Sequence, residues 1–200
     1  VNTISAAEHT VAIMLTLSRN IAVGDLGMKQ GEWNRHALVG SELRNKTLGI
    51  VGMGKIGREV MTRCRSFGMN ILGFDPYMNQ DMFNPEEVKI VDLDELTADS
   101  DYITVHVPLT DTTRDLFDYE RLSDMKRSAR IVNVARGGII NEADLAKTLI
   151  QGKIAGAAID VFTAEPVDES NPLLNAPNIV LTPNQGAKTE EAKEGVSIAV

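Results

Sequence analysis

The sequence predicts an α/β fold: a doubly wound parallel sheet of about seven strands, with helices on both faces. From residue 47 onward, short β-branched runs alternate with longer helical stretches. The runs over residues 131–134 and 155–159 lack the in-and-out alternation of half-exposed strands, which is typical of strands covered on both faces. A chain of 200 residues can also bury a full core without disulfide or metal staples.

The first predicted element is a helix. Ser5 and Glu8 match a capping box, in which a serine oxygen and a glutamate satisfy free backbone N–H groups. We therefore expect an opening helix that runs from about Ala6 to the end of the segment 1–23. Residues 24–46 are the least regular part of the chain, and we interpret them as a connecting arm.

Strands and helices alternate over residues 47–200, which end in a further helix. The strands are predicted over residues 47–51, 70–74, 88–91, 102–105, 130–134, 155–159 and 178–181. Asp92 and Asn141 stand where N-terminal caps are expected, and Gly68 and Gly152 stand where C-terminal glycines belong. The regular alternation predicts parallel pairing of the strands.

Composition and charge argue against several classes of protein. Twenty Lys and Arg residues against 28 Asp and Glu residues give a net charge of −8, which opposes binding to nucleic acid. The sequence has no run of 18 or more apolar residues, so no membrane span is predicted. The lone Cys64 cannot form an intramolecular disulfide, and no secretory signal is visible, so we expect a cytoplasmic location. We interpret Cys64 as a core residue, and no metal site is predicted.

A glycine-rich loop follows the first predicted strand. Gly52, Gly54 and Gly57 match the pattern GxGxxG and precede a predicted helix. The first glycine permits a tight turn, the second lets the backbone approach a pyrophosphate, and the third allows close packing of helix on strand. Asp75 lies 18 residues after Gly57, where a carboxylate can accept hydrogen bonds from ribose hydroxyls and repel a 2′-phosphate. The sequence therefore predicts a Rossmann-type domain that prefers NAD to NADP.

Other interpretations of the glycine loop are possible. A P-loop is excluded, because no Gly-Lys followed by Ser or Thr is present. A methyltransferase can also place an acidic residue after its second strand, so the sequence up to Asp75 does not exclude that class. A cluster of turn glycines beside a surface aspartate is the remaining alternative.

Three later segments carry polar residues at the ends of predicted strands, where open α/β sheets bind ligands. The first begins at His106, and the second contains Arg136 ahead of two glycines. The third runs from Asp160 to Glu165 and ends before a proline. An arginine at the end of a strand suits bidentate binding of a carboxylate or polarisation of a carbonyl, although a surface salt bridge is the alternative. A methyltransferase would require all three segments to be coincidental.

At these residues the chain resembles the D-isomer-specific 2-hydroxyacid dehydrogenases. The resemblance extends from Asn2 to the end of the chain, and several separated motifs carry it in the order that the family shows. The motifs are Ser5-Ala6-Ala7-Glu8, Gly40-Ser41-Glu42-Leu43, Lys46-Thr47-Leu48-Gly49-Ile50, the glycine loop, Phe74-Asp75-Pro76, residues 133–138 and residues 160–166. The early motifs are most similar to family members that act on D-3-phosphoglycerate, so the resemblance implies that substrate.

The resemblance also implies which residues bind NAD. The implied set is Gly52, Gly54, Lys55, Ile56, Gly57, Asp75, Val107, Pro108, Val134, Ala135, Arg136, Asp160, Gly186 and Ala187. Within it, Lys55 and Ile56 would hold the pyrophosphate, and Asp160 would bind the carboxamide of the nicotinamide. Val107 and Pro108 would form the wall near the adenine.

The catalytic residues implied by the resemblance include one departure from the family. Arg136 would bind the carboxylate and keto oxygen of the substrate, and Glu165 would orient and charge a histidine that carries the proton. Where the family has Thr-Pro-His, this chain has Asn184 as the third residue. The Asn184 amide can donate a hydrogen bond, but it cannot usefully exchange a proton near neutral pH.

The three histidines of the chain do not obviously replace the missing one. His9 falls in the predicted opening helix, His36 in the arm and His106 at the adenine side of the site. The chain is thus interpreted as the NAD-binding domain of an oxidoreductase for 2-hydroxy acids. The alternative is a catalytically impaired module that uses NAD binding to control association.

Two further expectations concern the rest of the protein. The family's substrate domain, which closes over the cofactor, is expected to be absent from residues 1–200. Trp33, the only tryptophan, lies in the predicted arm, where a large aromatic side chain suits an interface. Because related enzymes dimerise through this domain, we expect a homodimer.

Overall fold

A seven-stranded sheet forms the centre of the computed structural model, which describes residues 2–197. The strands, β1 to β7 in chain order, are Thr47–Val51, Asn70–Phe74, Lys89–Ile90, Tyr102–Val105, Arg130–Asn133, Gly156–Ile159 and Ile179–Leu181. All neighbouring strands pair in parallel, in the order β3-β2-β1-β4-β5-β6-β7. The predicted doubly wound sheet is confirmed, and every strand lies within its predicted range.

Helices cover both faces of this sheet. The helices, α1 to α7 in chain order, are Thr3–Ser18, Ile21–Lys29, Lys55–Ser66, Leu93–Asp99, Tyr119–Asp124, Glu142–Ile150 and Glu190–Ser197. Apolar side chains of α1 and α3 form one buried cluster with β1, and those of α4, α5 and α6 form a second with β4 and β5. The chain order turns back between β1 and β4, which creates the crevice where ligands bind in such sheets.

The opening segment differs from its prediction. The helix expected from Ala6 through the segment 1–23 is two helices, because Asn20 adopts a left-handed conformation with φ of 54° between α1 and α2. The carbonyl oxygen of Ser18, at the end of α1, accepts a hydrogen bond of 2.9 Å from the Ser41 N–H. The returning chain therefore terminates α1, and the second helix extends into the stretch 24–46 that was expected to be irregular.

The start of α1 also differs from the predicted capping box. The helix begins at Thr3, so Ser5 lies inside it rather than at its N-cap. The Oγ atom of Ser5 instead lies 2.9 Å from Oγ1 of Thr189. A tertiary contact thus takes the side chain that the local pattern assigned to capping.

The other predicted helix boundaries are confirmed. Asp92 accepts a hydrogen bond from the N–H of Glu95, and Asn141 accepts one from the N–H of Asp144. Gly68 and Gly152 have φ values of +73° and +63°, which glycine adopts without strain. These caps fix where the helices meet the sheet.

Cys64 and the helix α2 lie at opposite extremes of burial. Cys64 packs fully buried on α3, and burial raises the pKa of its thiol to about 12, as expected of a core cysteine. By contrast, α2 has no buried residue, and its Val23, Leu26 and Met28 side chains are exposed.

No single helix among the described residues is long and apolar enough to cross a membrane, although α1 and α2 pass that test as a pair bent by 66°.

Candidate functional site

A cleft of about 360 Å³ lies beside the carboxyl ends of β4, β5 and β6. The predicted site residues that line it are Ile56, Val107, Pro108, Val134, Ala135, Arg136, Asp160, Asn184, Gly186 and Ala187. A second cavity shares Asn184 with the cleft and is lined by Glu165. The structure therefore brings most of the predicted site residues together at one edge of the sheet.

The glycine loop joins β1 to α3 at one end of this cleft. Gly52 has φ of +98°, and a Cβ atom there would lie 2.6 Å from the carbonyl oxygen of His106. A Cβ atom on Gly57 would overlap the carbonyl oxygen of Gly52, so this glycine permits α3 to pack against the loop. A Cβ atom on Gly54 would meet nothing within 4 Å. Side chains are therefore sterically excluded at Gly52 and Gly57, where the loop packs against the protein. The space beside Gly54 is open and could hold a ligand.

The N-terminus of α3 faces that open space. The helix begins at Lys55, and its N-cap residue, Gly54, has no side chain to cap it. The first N–H groups of a helix have no partner within the helix and carry a partial positive charge. This end of α3 is therefore suited to an anion such as a pyrophosphate.

Asp75 is held beside the loop by backbone hydrogen bonds. Its Oδ2 accepts from the N–H of Met53 at 2.9 Å, and its Oδ1 accepts from the N–H of Tyr77 at 2.9 Å. The guanidinium of Arg58 donates to the carbonyl oxygen of Met53 and lies 5.1 Å from the centre of the Phe83 ring. A positive charge thus stands behind the loop, while the Asp75 carboxylate stands where a ribose is expected.

The side-chain amide of Asn133 holds the turn that carries Arg136. Asn133 accepts a hydrogen bond from the N–H of Ala135 and donates one of 2.9 Å to the carbonyl oxygen of Arg136. A Cβ atom on Gly137 would overlap the backbone of Phe162, so the following segment approaches it closely. The exposed Arg136 side chain lines the cleft, and its Nη1 donates to the carbonyl oxygen of Ala135 at 2.7 Å.

Asp160 is buried and receives four hydrogen bonds. Its donors are the Thr182 hydroxyl at 2.6 Å, the backbone N–H groups of Gln185 and Gly186 at 2.9 Å, and Nε2 of His9 at 3.2 Å. Burial acts to raise the pKa of Asp160, but the four hydrogen bonds outweigh it and lower the pKa below the usual value. Asp160 is therefore an ionised acceptor at neutral pH.

Asn184 and Glu165 form a hydrogen-bonded pair. The Nδ2 of Asn184 donates to Oε2 of Glu165 at 2.6 Å, and Oε1 of Glu165 accepts from the N–H of Phe162 at 3.0 Å. The backbone of Asn184 is left-handed, with φ of 47°, and its N–H donates to the carbonyl oxygen of Asp160 at 2.7 Å. The carboxamide thus occupies the place expected for a histidine and makes its hydrogen bond to the carboxylate.

The structure places the histidines as follows. Nε2 of His106 is buried without a hydrogen-bond partner among the described residues, and burial lowers the pKa of this imidazole to about 4. His106 is therefore uncharged at neutral pH where it lines the cleft. His9 contacts Asp160 directly and therefore belongs to the site. The sequence analysis did not include it. Its position one turn after Ala6, a residue that lines the cleft, is the signal that could have identified it.

One further residue was missed. Lys188 lines the second cavity together with Glu165 and Asn184, and its side chain is exposed there. Lys188 lies four positions after Asn184 in the sequence, a spacing that did not identify it. The lysine adds a positive charge to the cavity that Glu165 also lines.

Comparison with known proteins gives consistent results. The family profile described as "D-isomer specific 2-hydroxyacid dehydrogenase, NAD binding domain" matches residues 11–186. D-3-phosphoglycerate dehydrogenases of Methanocaldococcus jannaschii and Archaeoglobus fulgidus are 46% and 44% identical over the whole chain. The chain spans 38% of the length of each of these relatives.

A solved structure has a similar fold. The NAD-dependent formate dehydrogenase of Staphylococcus aureus, in complex with NAD, superposes with a TM-score of 0.91 at 36% identity. The match covers 98% of this chain and 59% of that enzyme.

Proposed function

The chain belongs to the D-isomer-specific 2-hydroxyacid dehydrogenases as their NAD-binding domain, and from this premise we propose the reaction that it serves. The proposed reaction is hydride transfer between D-3-phosphoglycerate and NAD, which gives the 2-keto acid. The observation that carries the proposal is the convergence of Arg136, Asp160 and Asn184 at one cleft, where Asn184 is hydrogen-bonded to Glu165. The two relatives named above support the choice of substrate.

The residues at the glycine-loop end fit the cofactor. The space above Gly54 and the uncapped N-terminus of α3 suit the pyrophosphate, and Asp75 suits the adenosine ribose. NAD, when bound, accepts the hydride from the substrate carbon or returns it. Asp160 would accept a hydrogen bond from the carboxamide, which orients the nicotinamide in the cleft.

Arg136 would orient the substrate. Its guanidinium offers several N–H donors in a plane, which match a carboxylate and the neighbouring keto oxygen. The rigid turn around Asn133 and Gly137 supports this role, because a bound substrate must keep its geometry for hydride transfer.

Asn184 limits proton transfer in the proposed reaction. Its amide keeps the hydrogen bond to Glu165, but it cannot take the hydroxyl proton of the substrate. Loss of a positioned acid or base costs about 10² to 10⁴ in rate, so we expect slow turnover. This residue also favours the second candidate function, a module that binds NAD to control association without catalysis.

The remaining assignments concern the assembly and its location. We propose that residues 1–200 form the cofactor domain and that the substrate domain lies elsewhere in a longer protein. Trp33 is 78% exposed, and the exposed apolar side chains of α2 lie near it in sequence, which supports a homodimer through this region. A cytoplasmic location remains a prediction from the sequence.

Turnover in the presence of the substrate domain tests the two functions. The assay follows the absorbance of NADH during oxidation of D-3-phosphoglycerate. Slow turnover that disappears in Arg136→Met supports the dehydrogenase. Turnover no faster than buffer, together with an association state that changes when NAD is added, supports the binding module instead.

A further inference from the structure

The hydrogen bonds around Asp160 are divided unequally between its two oxygens. Oδ1 accepts from the Thr182 hydroxyl, from the N–H of Gln185 and from Nε2 of His9. Among the described residues, Oδ2 accepts only from the N–H of Gly186, at 2.9 Å. A carboxylate has about four lone-pair sites on its two oxygens. Oδ1 is therefore saturated, and Oδ2 keeps one site for another donor.

The same contacts fix the tautomer of His9. The Thr182 hydroxyl donates its hydrogen to Asp160, so its oxygen can only accept from the imidazole 3.2 Å away. The Asp160 carboxylate, which is ionised, also only accepts. Nε2 of His9 must therefore carry the hydrogen and share it between these two oxygens.

Gly186 has no Cβ atom and packs close to Oδ2 of Asp160. A Cβ atom on Gly186 would lie 3.0 Å from Oδ2 and 3.3 Å from Cδ2 of His9. Gly186 and Asp160 line the cleft, whereas the side chain of His9, on α1, is 13% exposed and does not line it. The imidazole thus contacts the Asp160 carboxylate without itself lining the cleft.

We propose that His9 is a positioning residue, which holds Oδ1 of Asp160 and leaves Oδ2 to accept the carboxamide N–H of the nicotinamide. The inference rests on the proposed function, in which Asp160 binds that carboxamide. His9 contacts neither cofactor nor substrate and acts only through Asp160. Its effect should therefore be limited to ligands that contain the nicotinamide.

A second contact between α1 and the same segment provides a matched control. Oγ of Ser5 lies 2.9 Å from Oγ1 of Thr189, one helical turn before His9. Ser5→Ala loosens the attachment of α1 to this segment without removing a donor from Asp160. A general loosening and a specific loss at Asp160 can therefore be distinguished.

Titration calorimetry with NAD and with ADP-ribose, which lacks the nicotinamide, tests the inference on this chain. We expect His9→Leu to weaken NAD binding about tenfold and ADP-ribose binding less than twofold. His9→Gln restores NAD affinity to within twofold, because its amide nitrogen can replace Nε2 as the donor. Ser5→Ala leaves both affinities within twofold of wild type.

Several outcomes would overturn the inference. They are an equal loss of both ligands in His9→Leu, an unchanged NAD affinity in that variant, and a selective loss of NAD in Ser5→Ala. If His9→Leu does not fold, the comparison passes to His9→Gln and the shorter His9→Asn, of which only the former should bind NAD normally. A wild-type chain that binds neither ligand contradicts the proposed function itself, whereas normal NAD binding with an inert His9 contradicts only this inference.

Discussion

The glycine-loop end of the cleft and the Asn184 end depend on different parts of the chain. At the glycine loop, the backbone would supply most of the contacts to the cofactor. The N–H groups at the start of α3 suit the pyrophosphate, and Gly54 leaves room for it. At the other end, the side chains of Arg136, Glu165 and Asn184 would have to carry charge and protons. We therefore expect a substitution at this end to slow the proposed reaction while the hydrogen bond to Glu165 is kept, as it is in the Asn184–Glu165 pair. Cofactor binding and turnover are separable properties in such a site.

The largest expected effect is that of Asn184→His, measured with the substrate domain present. The imidazole restores a proton carrier beside Glu165, so kcat for oxidation of the 2-hydroxy acid should rise by about 10² or more. The affinity for NAD should stay within twofold, because the glycine loop is unchanged. Steady-state kinetics and calorimetry measure the two quantities.

The pH profile of Asn184→His adds a second readout. An ionisation near neutral pH should appear in kcat, and the negative charge of Glu165 should raise the pKa of the new imidazole. Adding Glu165→Gln should move that ionisation to lower pH. If the Asn184 form already turns over as fast as the histidine variant, another group carries the proton.

Two alanine substitutions sharpen the comparison at the glycine-loop end. Gly57→Ala places a Cβ atom on the carbonyl oxygen of Gly52 and should lower the free energy of unfolding by about 2 kcal/mol and NAD affinity about thirtyfold. Gly54→Ala enters open space, so it should weaken NAD binding about tenfold with a change in stability below about 0.5 kcal/mol. Chemical denaturation and calorimetry check both. An unchanged NAD affinity in Gly54→Ala would show that the cofactor does not use this space.

A smaller effect is expected for the choice between NAD and NADP. Wild type should bind NAD more tightly, and Asp75→Asn should raise NADP affinity about fivefold, because the repulsive charge is lost while Arg58 remains behind the loop. Asp81→Asn, which makes the same charge change on a neighbouring turn, is the control. NADP binding to wild type that equals or exceeds NAD binding would contradict the role of Asp75.

The smallest effect on the cleft is expected from Trp33→Ala, since Trp33 belongs to neither end. NAD affinity should stay within twofold, while the dimer should weaken because a large exposed aromatic is lost from its proposed interface. Sedimentation velocity at tens of micromolar protein measures the association state. A monomeric wild type at that concentration would rule out the homodimer.

The centre of the sheet was predictable because β1, β4 and β5 contain buried β-branched residues. The break between α1 and α2 was not, since neither glycine nor proline marks it. Asn20 takes a left-handed conformation, and the Ser18 carbonyl is satisfied by Ser41 from a distant part of the chain. That contact is tertiary, and a local pattern does not contain it.

The candidate site was also predictable only in part. Asp160 and Arg136 were found because they stand at strand ends, where the topology of the sheet fixes the position of a ligand. His9 was missed because its role depends on a hydrogen bond across 151 residues of sequence. The burial of His106 Nε2, which has no partner within residues 2–197, could not be foreseen either, because it results from the packing of several elements.

The left-handed backbone at Asn184 has an evolutionary consequence. Asparagine and histidine are both among the residues that tolerate this conformation, so the exchange of one for the other needs no adjustment of the main chain. Their codons differ only at the first base, and the carboxylate partner is already in place. A single point mutation therefore connects a domain that has histidine at this position with one that has asparagine, in either direction.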